Sequence, residues 1–238
     1  MRRLRIGGRR GSQRLNSPDY TPERRPIASR EHALSKIVAG WLANTGLSPN
    51  AISIAGMVCA ILGGVALGLT SVVSPAWPLF LFGGLMMQMR LLANMFDGMV
   101  AIQTAKASPV GALYNEIPDR VSDAAFFIGM GYALGGCSEL GYLAAILAIM
   151  TAYIRSEGKV AGAHQEFCGP LAKPERMGLS TAAAVLAAIT PTTWLPKFDW
   201  APGAEIMAGT LLLIAVGSFA TCLRRLGKIA SALRGRSA

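Results

Sequence analysis

Two polar stripes run along a part of the chain that is otherwise strongly apolar. Their members recur at helical spacing: Asn94, Asp97 and Ala101 at i, i+3 and i+7, then Gly111, Asn115, Asp119 and Asp123 at successive i+4 steps. Residues three or four positions apart share one face of a helix, so each stripe lies on a single face. Carboxylates inside a membrane helix are costly, and they mark substrate or ion pathways and proton relays. The stripes therefore predict a functional site.

The elements that carry these stripes are predicted to be membrane helices. The 238 residues are 52% hydrophobic and only 15% charged, and the mean hydropathy is +0.42. This composition excludes an ordinary soluble domain and a disordered chain. Several apolar stretches approach the roughly 20 residues that a helix needs to cross the hydrocarbon core. They cover residues 48–69, 77–103, 110–134, 141–161, 176–190 and 205–222. We therefore expect an all-α membrane protein with six transmembrane helices.

Basic residues are concentrated at the two ends of the chain, which carries a net charge of +10. Arginines recur through residues 1–30, and Arg224, Arg225 and Lys228 follow the last apolar stretch. Basic flanks remain in the cytoplasm by the positive-inside rule, so both termini are expected there. The arginine-rich arm has no interleaved aromatic residues of the kind that bind RNA. We expect it to contact anionic lipid and no nucleic acid.

The sequence divides into four segments by composition. They are a basic flexible cytoplasmic arm (1–28), an interfacial amphipathic helix (29–45), a six-helix membrane domain (46–226) and a basic cytoplasmic tail (227–238). In the second segment Leu34, Ile37 and Trp41 recur at helical spacing beside polar residues such as Lys36. This pattern predicts a helix on the cytoplasmic face of the membrane, and the alternative is a surface helix packed on protein.

The short basic turn at residues 105–109 makes the helices that carry the two stripes antiparallel neighbours. With a rise of about 1.5 Å per residue, Asp97 and Asn115 lie roughly 10 Å from that turn. Arg90 and Asp123 lie deeper, at matching heights on the two helices. We therefore predict a buried Arg90–Asp123 ion pair that supports the site, because a charge inside a membrane helix requires a partner.

The two stripes form one long motif with a fixed gap. It reads N-x-x-D-G-x-x-A-I, then eight residues, then G-x-x-x-N-x-x-x-D. It resembles the signature of the CDP-alcohol phosphotransferases, D-x-x-D-G-x-x-A-R and G-x-x-x-D-x-x-x-D, with every spacing kept. Asn94 and Asn115 replace the first and third aspartates, and Ile102 replaces the arginine. The resemblance covers roughly residues 45–225, including Ser48-Pro49-Asn50, Tyr153-Ile154-Arg155 and Pro174-Glu175-Arg176.

The resemblance implies a six-helix membrane fold, commonly a homodimer, and a phosphatidyl transfer reaction. In this family divalent cations, Mg²⁺ or Mn²⁺, bind the pyrophosphate of a CDP-linked donor, here CDP-diacylglycerol. A small alcohol attacks the phosphorus that bears the lipid, and CMP leaves. The segment N-E-x-P-D-R looks like a bacterial branch of the family. That likeness implies the bacterial inner membrane, with the active site facing the cytoplasm.

Residue roles follow from the resemblance, position by position. The implied metal ligands are Asn94, Asp97, Asn115 and Asp119, and Asp119 is also the implied catalytic base. The implied donor-binding residues are Pro49, Asn50, Gly98, Ala101, Ser108 and Gly111. Three basic residues, Arg155, Lys159 and Arg176, would hold a phosphate on the acceptor, which suggests glycerol phosphate or inositol phosphate. For the two glycines the alternative is close helix packing, and for the arginines it is orientation of the chain in the membrane.

The two asparagines leave three outcomes open for the metal site. An asparagine oxygen can bind a hard cation but brings no negative charge. Either the pyrophosphate of the substrate compensates, or one cation binds, or the site is inactive. We favour an active enzyme because Asp97, Asp119 and the spacing are kept. The alternatives are a catalytically impaired relative that binds CDP-lipid or a partner protein, and a transporter whose intramembrane charges form an ion path.

Overall fold

The structure is a computed structural model, and it describes residues 32–104, 109–191, 194 and 205–235. These residues form helices and contain no strand. The helices are α1 (Ala33–Asn44), α2 (Pro49–Leu69), α3 (Trp77–Gln103), α4 (Pro109–Tyr132), α5 (Ser138–Val160), α6 (Lys173–Ile189) and α7 (Ile206–Arg234). The predicted all-α class is confirmed. The basic arm at residues 1–28 and Ser108 lie outside the described residues.

Three helices, α2, α3 and α7, are long and apolar enough to cross a membrane. The other predicted spans differ from them in length or charge. Helix α6 has only 17 residues, and the α4 sequence includes three acidic residues and an arginine within its 24 residues. Membrane crossing by α4, α5 and α6 therefore remains a prediction.

Local sequence signals explain where the site-bearing helices begin. Ser48 caps α2, because its hydroxyl oxygen accepts a hydrogen bond from the backbone N–H of Ala51 at 3.2 Å. Pro49 occupies the first helical position, where no intrahelical donor is required. At the other end of the chain, α7 continues well past residue 222. Its extension is supported by Ile229, which is buried and lies beside Gly158 of α5.

Six of the helices form a closed ring in the order α2, α3, α6, α7, α5 and α4. The backbones of α2 and α4 come close together at small residues, as is common between the helices of membrane proteins. A Cβ atom added at Gly64 would lie 2.3 Å from the backbone oxygen of Ala125, and one added at Gly129 would lie 2.2 Å from the backbone oxygen of Gly64. Helices α3 and α4 both pack mainly against α2 and contact each other only sparsely. Polar side chains reach across between them.

Helix α1 packs one side against α3, where Ala39 is buried beside Met95 and Met99. Its other apolar residues point away from the protein, since Leu34 is 71% exposed and Trp41 is 64% exposed. The helix thus has a protein-packed side and an exposed apolar side. Both features fit an amphipathic helix that lies along a membrane surface.

Candidate active site

Asp97 of α3 lies at the point where α2, α3 and α4 converge. Its carboxylate is buried and accepts a hydrogen bond from the Ser53 hydroxyl of α2. The side-chain amide of Asn115, on α4, donates to the two carboxylate oxygens at 3.1 and 3.2 Å. The sequence predicted that Asp97 and Asn115 would meet, and the structure brings them together. Ser53 was not predicted, although it stands one helical turn after Pro49 on α2.

Asp119 of α4 is held by two cations on a single oxygen. Its Oδ1 lies 2.5 Å from Nη2 of Arg90 and 2.7 Å from Nζ of Lys173. Its Oδ2 accepts a hydrogen bond from the Asn94 amide at 3.4 Å. Nη1 of Arg120 also lies 3.9 Å from Oδ2. The carboxylate is therefore closely paired with cations at Oδ1 and has only longer contacts at Oδ2.

The predicted Arg90–Asp123 pair is wrong. Arg90 pairs with Asp119, one helical turn closer to the N-terminus of α4. Asp123 instead lies 3.0 Å from Nζ of Lys173 and 3.5 Å from Nη2 of Arg176, both on α6. The rise along a helix predicts the height of a side chain, but it carries no information about α6. When α6 packs against α4, Lys173 and Arg176 form ion pairs with Asp123.

These charged groups form one buried cluster, which we call the carboxylate cluster. Ion pairs join Asp119 and Asp123 to Arg90, Lys173 and Arg176. Asp97 belongs to the cluster because it interacts electrostatically with Arg90 and Asp119, without a direct ion pair. The exposed fraction is 2% for Arg90, 2% for Asp97 and 1% for Asp123. Buried ions are tolerated when partners compensate them. Three cations facing three carboxylates leave the cluster near neutrality.

Lys173 is the most important residue that sequence reasoning missed. It lies outside the signature motif, which gives it no role in the site. Its spacing from Arg176 is i, i+3, which puts the two on one face of α6. That spacing was a usable signal, but only the docking of α6 against α4 reveals which carboxylates the face meets.

Five other predicted donor-binding residues lie within the described part of the chain. Pro49 accepts a hydrogen bond from Ser53 at its backbone oxygen at 3.3 Å, and Asn50 follows it in the first turn of α2. Gly98 and Ala101 are buried on the same helix as Asp97, and Gly111 is half-buried in the first turn of α4. These residues lie on the three helices that meet at Asp97.

A second group of charges lies around Glu116 of α4, whose side chain is 45% exposed. Arg155 of α5 donates to its two carboxylate oxygens at 2.7 and 2.9 Å. Arg120 forms a further ion pair with the same carboxylate. The Arg155 guanidinium also lies over the ring of Phe167, 5.3 Å from its centroid. In this geometry the ring attracts the guanidinium through a cation–π interaction. We call this group the Glu116 cluster.

The other predicted acceptor-binding residues have different surroundings. Arg176 is buried, and its Nη1 donates to the backbone oxygen of Leu171 at 3.1 Å. Lys159 is exposed in the last turn of α5. Arg225 of α7 was not predicted to bind the acceptor, yet it is 5% exposed and donates to the backbone oxygen of Thr151 at 2.6 Å. Arg155, Arg176 and Arg225 thus lie on three different helices.

The donor set fits a hard divalent cation only in part. Within the described residues no group of three or more His, Cys, Asp or Glu side chains could hold a metal ion. The side chains of Asp97 and Asn115 are adjacent. If the side-chain amide of Asn115 is flipped by 180°, its oxygen replaces its nitrogen and faces the Asp97 carboxylate. Carboxylate and amide oxygens suit Mg²⁺ or Mn²⁺. Asp119 is already compensated by Arg90 and Lys173.

Comparison with known proteins finds that the chain is similar to lipid synthases. No family model matches the chain. The chain is 27% identical over 194 residues to the phosphatidylinositol phosphate synthase of Streptomyces avermitilis. The aligned region covers 79% of this chain and 74% of that protein. It is 26% identical over 198 residues to that of Mycolicibacterium smegmatis, covering 81% and 82%. The chain is a homologue of the phosphatidylinositol phosphate synthases.

These synthases belong to the CDP-alcohol phosphotransferase family, and their reaction class is the one that the sequence predicted. The predicted enzyme class is therefore confirmed at the level of the homologues. Their homology, together with the three membrane-length helices, also supports the predicted membrane protein. The finer prediction, that asparagine replaces two aspartates of the signature without loss of function, stays a prediction.

Solved structures support the fold. The phosphatidylinositol phosphate synthase of Mycobacterium tuberculosis in complex with manganese and citrate aligns with a TM-score of 0.67 at 20% identity, covering 83% of this chain and 90% of that chain. The structure of the same enzyme with CDP-DAG bound aligns with a TM-score of 0.66, covering 83% and 94%. The helical arrangement is thus shared with a phosphatidylinositol phosphate synthase.

Proposed function

We propose that the chain is a member of the CDP-alcohol phosphotransferase family that transfers a phosphatidyl group from CDP-diacylglycerol to a small phosphorylated alcohol and releases CMP. The observation that carries this proposal is the convergence of Asp97, Asn115 and Asp119 from the two halves of the signature motif. The M. tuberculosis homologue has been crystallised with CDP-DAG and with manganese, which supports both the donor and a divalent cation.

Asp97 and Asn115 are the residues that would hold a divalent cation, and such an ion neutralises charge on the attacked phosphate. Asn94 lies beside them and donates its amide to Asp119. Pro49, Asn50 and Gly98, on the helices next to Asp97, would bind the CDP part of the donor. These assignments follow the positions of the family signature.

Asp119 is the proposed general base. Its Oδ1 is occupied by Arg90 and Lys173, whereas its Oδ2 has a long hydrogen bond from Asn94 at 3.4 Å and a distant ion pair with Nη1 of Arg120 at 3.9 Å. Oδ2 is therefore the oxygen that would take the proton from the attacking hydroxyl. Arg90 and Lys173 hold the carboxylate in place and favour its ionised form before the transfer.

The acceptor is proposed to carry a phosphate. Arg155 and Arg120 lie in the Glu116 cluster, and Arg176 and Arg225 lie deeper on the neighbouring helices. Arginine binds phosphate through paired donors, so such a group suits a phosphorylated alcohol. The homologues are named for phosphatidylinositol phosphate, which favours inositol phosphate over glycerol phosphate.

The membrane arrangement is part of the same proposal. The six helices of the ring cross the bacterial inner membrane with both termini in the cytoplasm, and the active site faces the cytoplasm. The basic arm contacts anionic lipid. A homodimer is proposed from the family resemblance. The competing proposal is an impaired relative that binds CDP-lipid without turnover.

The test is release of CMP from labelled CDP-diacylglycerol by the purified protein with Mg²⁺ or Mn²⁺ and a panel of acceptors. We expect CMP release with inositol phosphate or glycerol phosphate, loss of release after metal removal, and loss in Asp119→Ala. Equal background for the wild type and Asp119→Ala with every acceptor would contradict the enzyme. Metal-independent binding of the nucleotide in the same sample would then favour the binding protein.

A further inference from the structure

The surroundings of Asp119 differ from those of Asp97 in one respect. Asp119 has three cationic partners, Arg90 at 2.5 Å, Lys173 at 2.7 Å and, more distantly, Arg120 at 3.9 Å. Within the described residues Asp97 has neutral hydrogen-bond donors, the Ser53 hydroxyl and the Asn115 amide, and no ion pair. The negative charge of Asp97 is thus available to a cation, whereas that of Asp119 is already matched.

The side-chain amide of Asn94 removes the need for a further cation next to Asp119. Its amide nitrogen lies 3.4 Å from Oδ2 of Asp119 and donates to it. An aspartate at this position, as in the family signature, would put a second carboxylate against Asp119. Two carboxylates so close repel each other unless a proton or a cation lies between them. The asparagine removes that requirement.

Lys173 is placed to supply the missing positive charge. Its ammonium lies between two carboxylates of α4, 2.7 Å from Asp119 and 3.0 Å from Asp123. The side chain is 18% exposed, so its charge is only partly screened by solvent. The carboxylate cluster is near neutral with Lys173 in place. Two divalent cations would add four positive charges to it, whereas one adds two, which the donor's pyrophosphate can balance.

We propose that this site binds a single divalent cation, at Asp97 and Asn115, and that the Lys173 ammonium provides at Asp119 the positive charge that a second cation would supply. Lys173 is then a positioning residue that acts through Asp119. The inference rests on the proposed function, because the cation and the pyrophosphate belong to that reaction.

The experiment counts bound Mn²⁺ by electron paramagnetic resonance in the purified wild type with CDP-diacylglycerol. We expect one ion per chain and the spectrum of an isolated Mn²⁺. The variant Asn94→Asp with Asn115→Asp and Lys173→Met should bind two ions, with the coupled spectrum of a pair about 4 Å apart. Lys228→Met is the matched control, since Lys228 pairs with Glu166 at 3.6 Å, and it should still bind one ion.

A wild-type count of two or of zero would overturn the inference, and so would a triple variant that folds and still binds one ion. The wild-type count needs no variant, so poor folding of the triple variant leaves the inference testable. CMP release is measured on the same wild-type sample. Release with two bound ions would refute this inference alone, whereas no release with one bound ion would refute the proposed function alone.

Discussion

Glu116 competes with the acceptor for Arg155 and Arg120 if the acceptor carries a phosphate. Its carboxylate receives Arg155 Nη2 at 2.7 and 2.9 Å and also pairs with Arg120. Because the Glu116 side chain is 45% exposed, an incoming anion can reach and replace it. We expect Glu116→Gln to bind the phosphorylated acceptor more tightly, since the amide brings no charge to the two arginines.

The expected change in KM for the acceptor follows from how far these two ion pairs are exposed to solvent. A solvent-exposed ion pair contributes about 0.2–1 kcal/mol. Glu116 makes two such pairs, with Arg155 and with Arg120, and the glutamine retains part of their hydrogen bonding. A net gain of about 0.7–1.4 kcal/mol corresponds to a fall in KM for the acceptor of roughly threefold to tenfold.

The assay measures KM for inositol phosphate and for CDP-diacylglycerol at low ionic strength. Only the acceptor KM should fall, and the effect should shrink as salt is raised because the charges are partly exposed. Glu157→Gln is the matched control, since Glu157 is an exposed glutamate of α5. An unchanged acceptor KM in folded Glu116→Gln, or an equal change with unphosphorylated inositol, would refute the reasoning.

Two further predictions concern stability. Gly64→Ala should sharply reduce the yield of monodisperse protein, because its Cβ would lie 2.3 Å from a backbone oxygen of α4. Gly68→Ala should be tolerated, since its Cβ would lie 3.7 Å from the Cβ of Tyr132, and equal yields of the two variants would contradict this packing. Arg90→Leu should lower the free energy of unfolding, but by less than the about 3–5 kcal/mol that a fully unpaired buried carboxylate costs, because Lys173 still pairs with Asp119. In double-mutant cycles measured by unfolding in detergent, Arg90→Leu should couple strongly to Asp119→Leu and weakly to Asp123→Leu, and the reverse order would contradict the observed pairing.

The helices and the two stripes were predictable because their signals are local. A helical repeat places Asp97 and Asn115 on definite faces whatever the rest of the chain does. The capping serine before Pro49 also depends only on neighbouring residues. The predicted second span at residues 77–103 has the same bounds as α3. The all-α class and the meeting of Asp97 with Asn115 could therefore be predicted from the sequence.

The partners of the buried charges were not predictable in the same way. Helical rise places Arg90 and Asp123 at one height, but height does not decide which of several carboxylates an arginine reaches. That choice depends on α6, whose Lys173 and Arg176 occupy Asp123 and leave Asp119 to Arg90. The docking of α6 is a tertiary property, and no local pattern encodes it.

The same distinction applies to the contact between α3 and α4. A short turn predicts neighbouring helices, yet both pack mainly against α2. Gly64 and Gly129 allow the backbones of α2 and α4 to touch, so α4 is drawn toward α2. Close packing between α3 and α4 is then replaced by polar side chains, with Asn115 meeting Asp97 at 3.1 Å. The polar meeting point exists because the glycines hold α4 against α2, so a residue larger than glycine at position 64 should disturb the site as well as the fold.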